Sequence, residues 1–139
     1  MLVMLSYRAS SGMAGNASIE PTIRSYRDLR VWQTAMDLVV EAYRLGKHLP
    51  EHERFGLGAQ IRRAAVSIPA NIAEGHGRLL RGEYLHHLSI ARGSLKELQT
   101  LLVIAERLTY LSADQVANAT KLCDSTSRML TRLRAALRR

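Results

Sequence analysis

The amino-acid sequence predicts an all-α protein, an antiparallel up-down four-helix bundle. Three observations carry that reading. Apolar residues recur at steps of three and four over four long stretches, short segments containing Pro, Gly or Ser separate those stretches, and nowhere do apolar and polar residues alternate with the period of two that a half-buried strand requires.

The first helix is expected from about Asp28 to Lys47, with Asp28 as N-cap and Trp32, Met36, Val39 and Tyr43 stacked on the core face. Pro50 then interrupts the chain. A second pattern begins near Phe55 and runs through Leu57, Ile61, Ala64, Ile68 and Ile72, with Gly75 and Gly77 ending it. The third helix, from about Arg81 to Tyr110, places Tyr84, Leu88, Ala91, Leu95, Leu98, Leu102 and Ala105 on one stripe. The fourth follows Ser112, whose side chain can cap it. It repeats Val116, Ala119, Cys123, Thr126, Leu130, Leu133 and Leu137 as a heptad seam. Residues 26–139 therefore form the bundle. Residues 1–25 read as a flexible extension, because the run 9–18 of Ala, Ser, Gly, Met and Asn has little to bury; Met13 leaves open a later translation start.

Helix two differs from the others. Opposite its Ile face it carries Ala59, Val66, Ala70 and Ala73 rather than charges, and a helix apolar on two sides needs a second cover. In a bundle this small that cover is another subunit, so the protein is expected to be a homo-oligomer that uses these four residues as an interface. Pro69 lies inside this helix, removes one backbone hydrogen bond and is expected to kink it. Between the two faces runs a polar row, Gln60, Arg63, Ser67, Asn71 and Glu74. It reads either as a binding row or, more simply, as a structural network that aligns helices or subunits, which Arg92 can join by reaching Glu74. Gly93, costly in mid-helix, is expected with Ala91 and Ser94 to admit a close helix.

Composition narrows the class. The chain has 139 residues, 47% hydrophobic and 23% charged, which suits one folded domain and excludes disorder as the main state. No apolar run approaches the roughly 20 residues of a membrane span. With one cysteine and no secretory-type start, a reducing cytoplasm is the expected compartment.

The search for chemistry finds little. A di-metal bundle needs two Glu-x-x-His pairs plus two further glutamates, whereas here Glu83 and His86 form a single pair. His86 and His87 diverge by about 100° on a helix, and Pro50 lies between His48 and His52. No metal and no other cofactor is expected. Cys123 falls on the seam as a small core residue, and the glycines at 75, 77 and 82 match no phosphate-loop spacing. The expectation is a protein without catalytic residues.

Several segments nevertheless resemble a known family. They are Tyr26-Arg27-Asp28-Leu29 with Val31-Trp32, Gln60-Ile61-Arg62-Arg63-Ala64, the run from Ser67 to Gly75, and Ala91-Arg92-Gly93-Ser94-Leu95. They resemble the bacterial four-helix-bundle proteins encoded in intervening sequences of large-subunit ribosomal RNA genes, over Tyr26 to Leu137. The resemblance implies a homopentamer around a central channel, with a basic surface that binds nucleic acid. Accessory proteins of diversity-generating retroelements, which act beside a reverse transcriptase and its RNA, are also similar. His87 stands where the family pattern suggests an aromatic, and Gln99 where an acid is common.

Charge points the same way. Twenty Lys and Arg against twelve Asp and Glu give +8, and half of that excess lies within 111–139. At 100° per residue, Lys121, Arg128, Arg132 and Arg139 project in one direction, away from the seam, while Arg134 and Arg138 point elsewhere. The row reads as a phosphate-binding surface, against the simpler possibility of a solvated face whose cations suit a helix C-terminus. With Trp32 and Tyr43 assigned to the core, few of the seven aromatics remain for stacking on bases, so binding through backbone and shape is expected. The resulting expectation is a non-enzymatic oligomer that binds nucleic acid, chiefly structured RNA, without strong sequence readout. The alternative is a scaffold or adaptor whose main ligand is another protein, such as a reverse transcriptase-like partner.

Overall fold

Four apolar seams become four helices in a computed structural model that describes residues 22–139: α1 (Arg30–Gly46), α2 (Leu57–His76), α3 (Arg81–Arg107) and α4 (Ala113–Arg138). Two 3-10 turns, Tyr26–Asp28 and Glu51–Glu53, precede α1 and α2, and the described residues contain no strand. The extension expected at residues 1–25 lies outside the described residues through position 21. None of the described helices is long and apolar enough to cross a membrane.

Helices adjacent in sequence pack against each other and α4 closes back on α1, whereas the backbones of the diagonal pairs α1–α3 and α2–α4 stay more than 8 Å apart, Cα to Cα. The α3 and α4 seams are buried as their spacing predicts. Leu88, Leu95 and Leu98 from α3 and Cys123, Thr126 and Leu130 from α4 are fully enclosed. Thr126 satisfies its hydroxyl by donating to the Leu122 carbonyl at 2.7 Å, one turn earlier. Ser112 caps α4 as expected, its Oγ accepting the Gln115 N–H while Gln115 Oε1 accepts the Ser112 N–H.

The start of the bundle departs from expectation. Asp28 does not cap α1. It closes a capping box with Ser25 around the preceding 3-10 turn and accepts the N–H groups of Arg24 and Ser25. The core face of α1 is also rotated by one residue, to Val31, Ala35, Leu38, Ala42 and Leu45. Trp32 and Val39 are only partly buried, and Met36 and Tyr43 are exposed. Small Ala35 and Ala42 let neighbouring helices come close, whereas bulkier Trp32 and Tyr43 fit at the rim. Within the buried face of α1 lies Glu41, held by two hydrogen bonds from Arg44 at 2.6 and 2.9 Å. That guanidinium, aided by Asn118 on α4, keeps the Glu41 carboxyl below the ordinary carboxylate range.

Phe55 does not start the α2 core pattern, since it is 83% exposed and the buried face begins at Leu57. Gly75 does not end α2 either. The helix runs through it to His76, with Gly77 as C-cap and Pro69 accommodated inside a continuous helix. Gly75 permits a close approach of α2 and α3: a Cβ there would lie 2.9 Å from His87 Cβ and 3.2 Å from the Tyr84 carbonyl oxygen. Gly93, by contrast, faces open space and admits no helix within the subunit.

The loop before α2 is tied down at several points. Glu53 Oε1 accepts the Leu57 N–H at 3.0 Å, which satisfies a free donor at the α2 N-terminus. Its Oε2 accepts from the Tyr110 hydroxyl at 3.0 Å, joining the α1–α2 loop to the α3–α4 turn at one end of the bundle. That turn contains Thr109 in the left-handed region, at φ 60°.

Candidate nucleic-acid interface

The α4 seam dictates where its cations go. With Val116 to Leu137 turned inward, Lys121, Arg128, Arg132 and Arg139 are all exposed, and none of the four has an ion-pair partner among the described residues. Their polar contacts are weak: Arg128 approaches Ser125 Oγ at 3.4 Å, and the Arg139 carbonyl accepts from Arg81 at 3.5 Å. Three of these cations lie along α4 and Arg139 at its end, forming a row of positive charge without ion pairs among the described residues.

A second cationic group lies across α3 and α4, and sequence spacing missed it. Arg134 is half-buried, its Nε has no partner, and burial together with Arg138 and Arg92 lowers its affinity for a proton. Arg92 therefore sits among like charges rather than at Glu74. The missing signal was tertiary, because residues on different helices come together only once α3 and α4 are packed.

The polar row of α2 separates into two parts. Ser67, Asn71 and Glu74 join a network between α2 and α3, in which Ser67 Oγ meets Ser94 Oγ at 2.7 Å and Asn71 Oδ1 meets His87 Nδ1 at 3.0 Å. Asn71 also donates to the Ser67 carbonyl at 2.8 Å. Glu74 pairs with Arg78 at 2.7 Å and lies 3.7 Å from His87 Nε2, and these partners hold its carboxyl below the usual range. Gln60, Arg63 and Arg92 make no side-chain hydrogen bond or ion pair in this network. Its missing members were His87 and Ser94. The departure of His87 from the family pattern was the available clue, because an imidazole can meet Asn71 where an aromatic hydrocarbon cannot.

The four residues proposed for subunit contact differ in exposure. Ala59 is covered by its own chain, Ala73 is half-buried, and Val66 and Ala70 are exposed. Met36, Val40 and Tyr43 on α1 are also exposed, and Tyr43 shares a shallow groove of about 520 Å³ with Ala59, Arg62, Arg63, Val66 and Ser67.

Among the described residues, no group of three or more His, Cys, Asp or Glu side chains is placed to hold a metal ion. Cys123 is buried and unpaired, and burial pushes its thiol up to about 12, far from an activated thiolate.

Comparison with known proteins places this geometry in context. The family described as 23S rRNA-intervening sequence protein matches residues 27–132. Among solved structures, the chain is similar to a protein of unknown function from the S23 ribosomal protein family of Bacteroides thetaiotaomicron. The two share 26% identity and a TM-score of 0.67, over 72% of this chain and 94% of that one. No curated protein matches.

Proposed function

The chain belongs to the 23S rRNA-intervening sequence protein family, and from that premise we propose that it is a non-enzymatic, oligomeric nucleic-acid-binding protein. It holds structured RNA through its basic surfaces without strong sequence readout. The observation that carries this reading is the exposed row Lys121, Arg128, Arg132 and Arg139, free of acidic partners among the described residues on a chain of net charge +8. Arg92, Arg134 and Arg138 enlarge the cationic surface.

The finer architecture belongs to the same proposal. An antiparallel, up-down course is supported by the pairing of Ser67 with Ser94, Asn71 with His87 and Gly75 with Tyr84, since positions that rise along α2 descend along α3. A homo-oligomer, a pentamer by the family resemblance, is supported by exposed Val66 and Ala70 on α2, with Tyr43 of α1 lining a groove together with Val66. A cytoplasmic setting is consistent with a single buried, unpaired cysteine.

The test is a salt titration of RNA binding. Replacing Arg128 and Arg132 with Gln should spare the fold, because both side chains are exposed, and should flatten the dependence of log affinity on log salt by roughly 0.7 to 0.9 per lost phosphate contact. The loss should be equal across unrelated sequences. An unchanged slope in the folded variant makes the row a solvated face. A second reading has its own observation: the apolar surface of α1 and α2 also suits a protein partner, making the chain an adaptor. Partner capture that survives nuclease treatment, without retention of purified RNA, would favour it.

A further inference from the structure

We propose that the groove beside the α1–α2 loop is a binding site for an unpaired nucleotide of an RNA strand, with its base stacked on Phe55 and its phosphate held by Lys47, Arg54 and Arg62. The site is separate from the α4 row and rests on the reading of the protein as an RNA binder.

Phe55 is the first observation. A phenylalanine left 83% exposed forgoes the burial that usually stabilises this side chain, yet the backbone that presents it is secured on both sides. Glu53 is held by the Leu57 N–H and the Tyr110 hydroxyl, and Arg62 Nη2 donates to the Arg54 carbonyl at 3.0 Å. The ring is thus displayed from a fixed loop. The Arg54 guanidinium lies 5.3 Å from the ring centroid, and 83% exposure leaves ring surface free for a planar ligand.

The second observation is a groove lined in part by Arg54, the guanidinium that lies over the Phe55 ring. It holds about 340 Å³ between Tyr43, Lys47, Glu51, Arg54 and Arg62. Three cations face a single acid, Glu51, whose contact with Arg54 is loose at 3.8 Å with both side chains largely exposed. A phosphate can displace so weak a pair. Tyr43, 46% exposed on this wall, adds a second aromatic surface. Aromatic faces beside a cationic groove suit a single strand, whose bases are free to stack, whereas a paired helix keeps its bases stacked on one another. An acidic peptide offers a planar group only where an aromatic side chain falls, whereas every nucleotide of a single strand carries one beside its phosphate.

The experiment compares a single-stranded oligouridylate with a blunt RNA duplex of equal length, using wild type, Phe55→Ala, Phe55→Trp and the Arg128→Gln/Arg132→Gln variant. Phe55→Ala should weaken single-strand binding about 5- to 100-fold and leave duplex binding unchanged. Phe55→Trp should retain affinity, and its added fluorescence should be quenched by the single strand. Lys47→Gln with Arg54→Gln should flatten the single-strand salt slope by roughly 0.7 per lost contact. Equal single-strand affinity for Phe55→Ala and wild type, with RNA still bound through the α4 row, overturns the groove alone. Absence of RNA binding in wild type overturns the groove and the functional reading together. A fall in assembly mass for Phe55→Ala by light scattering would assign the ring to a subunit contact, and capture of acidic peptides but not RNA would assign the cations to a protein ligand.

Discussion

Replacing Gly75 with alanine puts a methyl group where α2 and α3 already touch. The new Cβ would lie 2.9 Å from His87 Cβ, 3.0 Å from Tyr84 Cδ1 and 3.2 Å from the Tyr84 carbonyl oxygen. A ring edge can tilt, but a Cβ and a backbone carbonyl on a packed helix can move only if the helix moves. Overpacking of this kind costs about 1–3 kcal/mol. The better helix propensity of alanine returns about 1 kcal/mol. Separating the helices also stretches the Asn71–His87 hydrogen bond, which costs about 1 kcal/mol more. The net expectation is a destabilisation of about 1–3 kcal/mol, which for a chain of this size lowers the melting temperature by roughly 3–10 °C. Gly93→Ala is the internal control, because nothing lies within 4 Å of where its methyl carbon would sit and only the propensity gain of up to about 1 kcal/mol applies. Thermal unfolding of both variants at one fixed protein concentration should give shifts of opposite sign. If Gly75→Ala also stabilises, the close approach of α2 and α3 is wrong. If Gly93→Ala destabilises and lowers the assembly mass, Gly93 packs against a neighbouring subunit.

Three further outcomes are expected. Val66→Glu or Ala70→Glu places a charge on exposed α2 positions and should reduce the oligomer mass seen by light scattering, with helicity retained; wild-type mass for both would exclude that interface. The folded carboxyl of Glu41 lies below its unfolded value of about 4.5, so the stability it contributes is present above that pH and is lost as pH falls through the folded value. Wild type should therefore lose more stability than Glu41→Gln on acidification below about pH 4.5, as read by urea unfolding. Tyr84 buries its hydroxyl without a partner, so Tyr84→Phe should raise stability by about 1–3 kcal/mol rather than lower it.

The degree to which each helix was legible depended on how many apolar faces its sequence offered. In α4 the apolar residues form one seam among charges, so spacing alone identified Val116 to Leu137 as core. In α1 two overlapping series are apolar, Val31-Ala35-Leu38-Ala42-Leu45 and Trp32-Met36-Val39-Tyr43. Periodicity cannot choose between them, and a preference for large side chains selected the wrong one. Tyr43 consequently stands on the surface, an exposed aromatic that periodicity places in the core. For the candidate sites, the α4 row followed from helical geometry alone. The grouping of Arg92 with Arg134, and of His87 with Asn71, depends on how helices pack and had no signature at any fixed spacing.

The closure of α4 onto α1 has a consequence for biosynthesis. Synthesis runs from the N-terminal side, so α1 emerges before α4, the neighbour that closes onto it. α2 can cover one flank early, but the flank that α4 will occupy stays wet until α4 has been made. At roughly 5–20 residues per second, making α4 alone takes on the order of seconds. During that interval the nascent chain displays the α4-facing side of α1, with Glu41 still lacking Asn118, as a temporary sticky surface. The same chain therefore offers chaperones, or sister chains emerging from neighbouring ribosomes, a brief opportunity that the finished bundle withdraws.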